Sequence, residues 1–319
     1  MTKFVPHLAL LIYLIFSHLG AQAEPAPEVI RVMTFNLWHG GDAGKQPLEQ
    51  TVAVIKAAKA DIVGLQETDG LAPKGQKDRP DNAAKIAAML GWSYLDQGGR
   101  TGIISRFRIL GSTPGKWGAK IELSSGQKLY HFNAHLAHAP YQPYQLLRIP
   151  YNNAPFLTSA EEAVQAAHQT HGEQIAKLLA EVKAVTPENL PIFITGDFNE
   201  PSHLDWTPAA AAAQHCPLAV EWPSTKAIVA TGFVDAYRTI HPDPVKARGL
   251  TWTPTTQLTD PKDRHDRIDF IFTREQHGKV KSAQIVGEAK ESADIIVAPY
   301  PSDHRSVVAE IELPNTPPK

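Results

Sequence analysis

The stretch PIFITGDFNEP, residues 191–201, decides the fold, because an apolar strand there runs directly into a cluster of polar side chains. If the extended backbone continues past Gly196, then Asp197 and Asn199 project to the same side, since alternate residues of a strand share a face. Gly196 itself permits the close approach of another backbone. An Asx turn explains the same residues without any function. The stretch alone leaves both interpretations open.

Other segments indicate more strands and a smaller number of helices. Apolar runs of strand length occur at 29–35, 61–66, 102–105, 129–133, 191–195, 268–272 and 306–311. Apolar residues recur three and four apart at 48–59, 82–90 and 160–182, which predicts helices. Residues 102–135 offer several strands without a helix, which favours antiparallel pairing. The sequence therefore predicts two mainly antiparallel sheets covered by helices.

The composition is that of a globular protein. Of the 319 residues, 43% are hydrophobic and 20% are charged, which allows a sizeable core. The formal net charge of −2 gives no general attraction for nucleic acid. Cys216 is the only cysteine, so no internal disulfide forms, and we expect a buried, inert thiol.

The first 23 residues have the features of an export signal. Lys3 precedes an apolar run at 8–16, and Ala21-Gln22-Ala23 forms a small-x-small cleavage site. Nine apolar residues are too few to span a bilayer comfortably, which favours cleavage over an anchor. We therefore expect a secreted or periplasmic protein cleaved near Ala23, with one catalytic domain at 24–319 and no transmembrane segment in the mature chain.

Polar side chains lie at the ends of nearly all the predicted strands. Each one alone has an ordinary explanation as a turn residue, a solvated group or half of an ion pair. Together they are Asn36, Glu67, His131, Asn133, His135, Asp197, Asn199, Asp269, Asp303 and His304. Carboxylates so concentrated repel one another unless a cation neutralises them, and oxygen ligands suit Mg²⁺, Mn²⁺ or Ca²⁺ rather than zinc. Histidines beside such a metal can hold or protonate phosphate oxygens and activate water.

At these residues the chain resembles the endonuclease/exonuclease/phosphatase superfamily of DNase I-like phosphohydrolases. The matching segments keep the family's order: TFNLW at 34–38, DIVGLQE at 61–67, ISRF at 104–107, NAHL at 133–136, GDFNEP at 196–201, GLTW at 249–252, RIDFIF at 267–272 and SDHRSV at 302–307. Any one of these motifs is weak, but their shared order makes coincidence improbable. The resemblance implies a four-layer α/β/β/α sandwich with the site in a cleft at one edge of the two sheets.

The resemblance also implies roles for individual residues. Glu67 corresponds to the principal metal ligand, with help from Asn36 and Asp303. Asp197 and Asn199 correspond to the pair that orients the attacking water and the scissile phosphate.

Two histidines complete the implied machinery. His304 corresponds to the general base or the phosphate-holding histidine, with Asp269 behind it to fix its tautomer. His135 corresponds to the group that stabilises the phosphorane or assists the leaving group. Asp266 lies three residues before Asp269 and competes for the orienting role, so the sequence leaves that assignment open.

The resemblance implies metal-dependent hydrolysis of phosphate esters by in-line attack of water on phosphorus. A phosphodiesterase for lipid or small substrates is one expectation, and a secreted endonuclease for DNA or RNA is the alternative. A catalytically silent binding module is a third, although no metal or histidine position is missing. No stable protein partner is implied. The Tyr-rich segment at 137–159 fits no regular element and is a candidate for the substrate rim or for a packed surface loop.

Overall fold

The computed structural model describes residue 1 and residues 27–314. These contain thirteen strands, numbered in chain order: β1 Val29–Asn36, β2 Ile62–Gln66, β3 Ser93–Gly98, β4 Thr101–Ser105, β5 Arg108–Ser112, β6 Gly118–Glu122, β7 Lys128–His135, β8 Ile192–Asp197, β9 Val234–Asp235, β10 Asp269–Thr273, β11 Lys279–Gly287, β12 Ile295–Ile296 and β13 Ser306–Glu312. The helices are α1 Leu48–Ala57, α2 Asn82–Leu90, α3 Gln142–Leu146, α4 Ala160–Val185, α5 Pro208–Ala212, α6 Pro223–Val229 and α7 Ala236–Ile240. Two short 3₁₀ turns lie at Thr186–Glu188 and Glu275–His277.

The strands form two sheets. Sheet one has the order β12-β11-β13-β1-β2-β4-β3, and sheet two has the order β5-β6-β7-β8-β10-β9. Most neighbours are antiparallel, while β1 with β2, β7 with β8, and β11 with β12 are parallel. The prediction of two mainly antiparallel sheets is confirmed.

Apolar side chains on both faces of each sheet create the layers. Between the sheets, Ile30 and Val32 of β1 pack in one cluster with Phe193 of β8 and Ile271 of β10. The outer face of sheet one packs on α1 and α2, and the outer face of sheet two packs on α4 and α6. The result is the predicted α/β/β/α sandwich.

Helix ends follow local chemistry. The Asp81 side chain accepts a hydrogen bond from Ala84 N at the start of α2, and Gly91 ends that helix at φ 69°, a conformation that favours glycine. Ser159 caps α4 by accepting from Glu162 N. α4 ends at Val185, two residues before Pro187, which cannot continue a helix.

The polar face of β7 is buried against sheet one rather than solvated. His131 and Asn133 are at most 1% exposed. Asn133 Nδ2 donates to Leu65 O at 2.9 Å, and Gln66 Nε2 donates to Asn133 Oδ1 at 2.6 Å. Hydrogen bonding offsets the cost of burying these groups. This polar layer joins the two sheets just below their common edge.

Cys216 is free and buried, and burial raises the pKa of its thiol to about 11. Among the described residues, no helix combines the length and the apolar character needed to cross a bilayer. Apart from Met1, the predicted export signal lies outside the described residues.

Candidate active site

The sheet topology brings the polar strand ends together. Parallel strands β1 and β2 end at the same edge of sheet one, and parallel strands β7 and β8 end at the adjacent edge of sheet two. β10 and β13 run antiparallel to their neighbours and begin there. All eight residues predicted for the site therefore lie in one region: Asn36, Glu67, His135, Asp197, Asn199, Asp269, Asp303 and His304.

Glu67 follows β2 in a left-handed conformation, with φ 53°. Its Oε2 accepts hydrogen bonds from His39 N at 3.1 Å and from Arg100 Nη2 at 3.3 Å. Burial alone raises the pKa of this carboxyl group, but His135, the His39 N–H and Arg100 together lower it below its usual value. Glu67 is thus ionised at neutral pH.

Asp303 is the second carboxylate on this side of the cleft. It is 9% exposed, and its Oδ1 is buried without a hydrogen-bond partner among the described residues. Burial raises the pKa of Asp303 to about 7, and the Glu67 carboxylate adds to the effect. An unpaired buried carboxylate oxygen near a second carboxylate is a donor set that fits a hard divalent cation.

Asp197 lies at the centre of the site. Its Oδ2 accepts from Asn36 Nδ2 at 2.8 Å, and its Oδ1 accepts from Asn199 N at 2.9 Å. The Nε2 atoms of His135 and His304 lie 3.6 and 3.7 Å from Asp197 Oδ2, which is too far for a hydrogen bond. The two imidazoles therefore flank one carboxylate without being fixed by it.

Asp269, and not Asp266, is the partner of His304. His304 Nδ1 lies 3.0 Å from Asp269 Oδ2, and the imidazole packs against Trp252 with ring centroids 4.9 Å apart. Asp266 instead accepts hydrogen bonds from Tyr141 Oη and Trp206 Nε1, at 2.9 and 3.0 Å. The alternative that the sequence left open is resolved by these contacts.

The surroundings of His304 favour its charged form. Burial alone lowers the pKa of the imidazole, but the carboxylates of Asp269 and Asp197 raise it to about 10.

Ligand atoms of Asp197, Asp269 and His304 lie within 4.8 Å of one another and form a second possible cation site. The Nδ1 atom of His304 already contacts Asp269, which leaves the Nε2 atom as the ring nitrogen that faces Asp197.

Aromatic side chains form the wall of the cleft, whose volume is about 240 Å³. They are Trp38, His39, His138, Tyr141, Tyr144, Tyr151 and Trp252. Four of them, His138 and the three tyrosines, come from the Tyr-rich segment, where Tyr144 makes edge-to-face contacts with Tyr141 at 5.0 Å and with Tyr151 at 5.5 Å. Within the described chain, no lysine or arginine lines this cleft.

The Tyr-rich segment at 137–159 is partly regular. It contains the short helix α3, and its tyrosines line the cleft, whereas Phe156 is 43% exposed and packs with Arg148. Of the two interpretations of this segment, a place at the rim of the site therefore applies to its tyrosines.

A larger cavity of about 840 Å³ lies elsewhere, between 245–258 and 285–294. It contains none of the strand-end residues. Its Arg305 is paired with Glu288, with contacts as short as 2.5 Å. The smaller cleft is the better candidate, because it holds the convergent ionisable groups.

Several residues of the site were not predicted from the sequence. His39 and Arg100 contact Glu67 only because positive-φ turns bring them back toward it, and no local pattern reveals this. Trp252, by contrast, belongs to the GLTW motif, which the resemblance had already marked.

A two-sheet sandwich with a carboxylate and histidine cleft at its edge defines a class of phosphoester hydrolases. Residues 33–304 match the Endonuclease/Exonuclease/phosphatase family, and the chain belongs to that family. It is 29% identical over 312 residues to the Uncharacterized protein F14F9.5 of Caenorhabditis elegans, covering 88% of this chain and 90% of that one.

Solved structures share the fold at low identity. An endonuclease/exonuclease/phosphatase from Beutenbergia cavernae DSM 12333 superposes with a TM-score of 0.55 at 19% identity, covering 89% of this chain and 72% of that one. The 3′ phosphatase NExo from Neisseria, bound to a product DNA hairpin, superposes with a TM-score of 0.52 at 17% identity, covering 89% and 99%. At such identities these similarities support the fold alone.

Proposed function

We propose that this protein is an exported, divalent-metal-dependent phosphodiesterase for small or lipid-like phosphate diesters. The observation that carries the proposal is the convergence of Glu67 and Asp303 with the pair His304–Asp269 around Asp197, in a cleft of about 240 Å³. Neither a structural ion pair nor a solvated surface explains so many ionisable groups at one edge.

Glu67 and Asp303 would hold the metal, with the second lone pair of Asn36 Oδ1 available to it, since the first accepts from Trp38 N at 3.0 Å. Mg²⁺, Mn²⁺ or Ca²⁺ suits these oxygen ligands, and the bound ion would supply positive charge to the phosphoryl oxygens.

The protein side chains account for the remaining steps. Asp197, held by Asn36 and Asn199, orients the attacking water and accepts its proton as the new O–P bond forms in line with the bond that breaks. His304, oriented by Asp269, donates a hydrogen bond to a phosphoryl oxygen as negative charge develops there. His135, whose Nε2 lies 3.6 Å from Asp197 Oδ2, donates to the phosphoryl or leaving-group oxygen.

The lining of the cleft favours a diester over a monoester. A phosphomonoester carries up to two negative charges, and no arginine or lysine of the described chain lines the cleft to offset the second one. The tyrosine and tryptophan wall offers apolar surface to the substituent of a diester.

The second candidate is a nuclease for single strands. Aromatic side chains stack on bases without sequence preference, and a structural neighbour is a 3′ phosphatase bound to a product DNA hairpin. The formal charge of −2 and the absence of lysine and arginine from the lining of the described cleft argue against a duplex substrate.

A substrate panel tests these alternatives. Bis-p-nitrophenyl phosphate, p-nitrophenyl phosphate, phospholipid liposomes, single-stranded DNA and plasmid are incubated in parallel with Mg²⁺, Mn²⁺, Ca²⁺ or EDTA. We expect metal-dependent turnover of the diester above that of the monoester. Turnover confined to DNA supports the nuclease, and no turnover at any pH with any metal supports a binding module.

Glu67→Gln tests the assignment of the metal site. The substitution removes charge but not volume, so we expect the fold to be preserved. Mn²⁺ affinity should fall by about 100-fold or more, because losing a ligand should cost at least as much as losing a residue that only supports one. Isothermal titration calorimetry with Mn²⁺ measures this directly, and Glu49→Gln, at an exposed position of α1, is the matched control. Wild-type affinity in Glu67→Gln would contradict the assignment.

Export rests on the predicted signal at 1–23. Protein recovered from the periplasm or medium of an expressing bacterium should begin near Glu24, as N-terminal sequencing would determine. An intact Met1 on protein retained in the cytoplasm would reject this part of the proposal.

A further inference from the structure

The two histidines of the site are held in different ways. His304 is oriented through its ring, by the 3.0 Å contact of its Nδ1 with Asp269. His135 Nε2 lies 3.6 Å from Asp197 Oδ2, and this buried nitrogen has no hydrogen-bond partner among the described residues. The position of the His135 ring therefore depends on how the main chain around it is fixed.

Helix α4 fixes the main chain at both ends of the segment 135–137. Gln174 Nε2 donates to His135 O at 3.4 Å, and Ala137 N donates to Gln174 Oε1 at 3.0 Å. His171, one turn earlier on the same face, lies with its Nε2 2.9 Å from Ala137 O. One turn of helix thus holds the chain directly after β7.

The same turn of α4 also contacts the segment that follows β8. His171 Nδ1 lies 2.7 Å from Glu200 Oε2, and both side chains are fully buried. Ser224 anchors Glu200 from the other side, donating from its N at 2.7 Å and from its Oγ at 2.8 Å. Both ring nitrogens of His171 contact oxygen atoms of the protein, and neither is open to solvent.

Two direct hydrogen bonds link the segment after β7 with the end of β8 and the segment after it. Asn199 Nδ2 donates to Leu136 O at 3.1 Å, and Leu136 N donates to Asp197 O at 3.0 Å. The segment that carries His135 and the segment that carries Asn199 are therefore tied to each other and to α4. We call His171, Gln174 and Glu200 the α4 clamp.

We infer that Gln174 and His171 of the α4 clamp are positioning residues, which hold His135 at the phosphoryl or leaving-group oxygen during the chemical step. The inference rests on the proposed function, because it requires His135 to act on the substrate. Neither residue lines the cleft, so their effect passes through the main chain of His135. Small displacements of a catalytic group lower the rate of chemistry more than they lower substrate binding.

Gln174→Leu is the principal test, because it removes both hydrogen bonds while keeping the size of the side chain and its helix propensity. We expect kcat on bis-p-nitrophenyl phosphate to fall about tenfold, with KM changed less than about twofold. Mn²⁺ affinity should stay at the wild-type value, because no metal ligand is touched. Gln169→Leu, at an exposed position of the same helix, is the matched control and should keep wild-type kcat.

A double-mutant cycle separates positioning from a general loss of structure. In a His135→Asn background, Gln174→Leu should change kcat by less than about twofold, because there is no imidazole left to position. An equal loss in both backgrounds, or no loss in the wild-type background, would overturn the inference. A His135→Asn variant with wild-type kcat would do so as well.

His171→Gln provides a second variant with the same prediction, and Gln174→Leu remains decisive if the buried His171 variant does not fold. Failure of the proposed function has a different signature, namely a wild-type protein without metal-dependent diester turnover.

Discussion

At the scale of single residues, His304 gives the sharpest prediction. His304→Ala removes the imidazole that we propose donates to the phosphoryl oxygen, so kcat on bis-p-nitrophenyl phosphate should fall about 10²–10⁴-fold at saturating Mn²⁺. KM should change much less, because the interaction belongs chiefly to the transition state. His168→Ala, an exposed histidine of α4, serves as control. A rise in KM alone would make His304 a substrate-binding residue.

Residue types at strand ends gave ten candidates, and the family resemblance reduced them to the eight residues that the structure brings together. The sequence was not enough to choose between Asp266 and Asp269, because Asp266 precedes β10 and Asp269 begins it. The choice is decided by Tyr141 and Trp206, which come from distant segments and occupy Asp266. Contacts of this kind leave no periodic signal in a single sequence. The contacts of His171 and Gln174 in α4 could not be predicted for the same reason.

At the scale of elements, β7 carries a buried neutral histidine with a measurable effect on stability. His131 Nε2 lies 3.0 Å from Thr195 Oγ1, and burial lowers the pKa of His131 to about 3. The unfolded chain binds a proton near pH 6.5 and the folded chain does not. The stabilising contribution is therefore fully present above pH 6.5 and is lost progressively as the pH falls toward 3.

Urea unfolding at pH 8 and pH 5 measures this effect. The free energy of unfolding of the wild type should decrease by about 2 kcal/mol more than that of His131→Asn over this interval, since each pH unit below 6.5 costs about 1.4 kcal/mol. The difference between the two proteins isolates His131 from other buried histidines such as His277. Equal pH dependence in the two proteins would show that His131 takes up a proton in the folded state.

Strands that coincide with apolar runs in the sequence were predicted, whereas β11 was not. β11 was missed because its ladder to β13 shifts register between Val280 and Ser282, which places the buried Val280 and Ala283 three residues apart. The tyrosines at 141–151 likewise follow no period, since their positions are set by α3 and by hydrogen bonds to Asp263 and Asp266.

At the scale of the whole molecule, the candidate metal ligands and the groups that face the phosphate come from different sheets. Glu67 follows β2 and Asp303 precedes β13, both strands of sheet one, whereas Asp197 and Asp269 lie in strands β8 and β10 of sheet two. Carboxylates from both sheets repel one another across the shared edge, and a bound cation would relieve this repulsion. Metal binding should therefore stabilise the sandwich as a unit rather than one loop.

Thermal unfolding with and without metal tests this expectation. At 100 times the dissociation constant, a ligand that binds only the folded state adds about 2.7 kcal/mol, which for a chain of this size raises Tm by roughly 4 °C. Wild-type protein in Mn²⁺ should show this increase over protein in EDTA, while Glu67→Gln should show little of it at the same Mn²⁺ concentration. Glu49→Gln should behave as wild type. An equal increase in Glu67→Gln would place the bound ion elsewhere, with the group Asp197, Asp269 and His304 as its next candidate site.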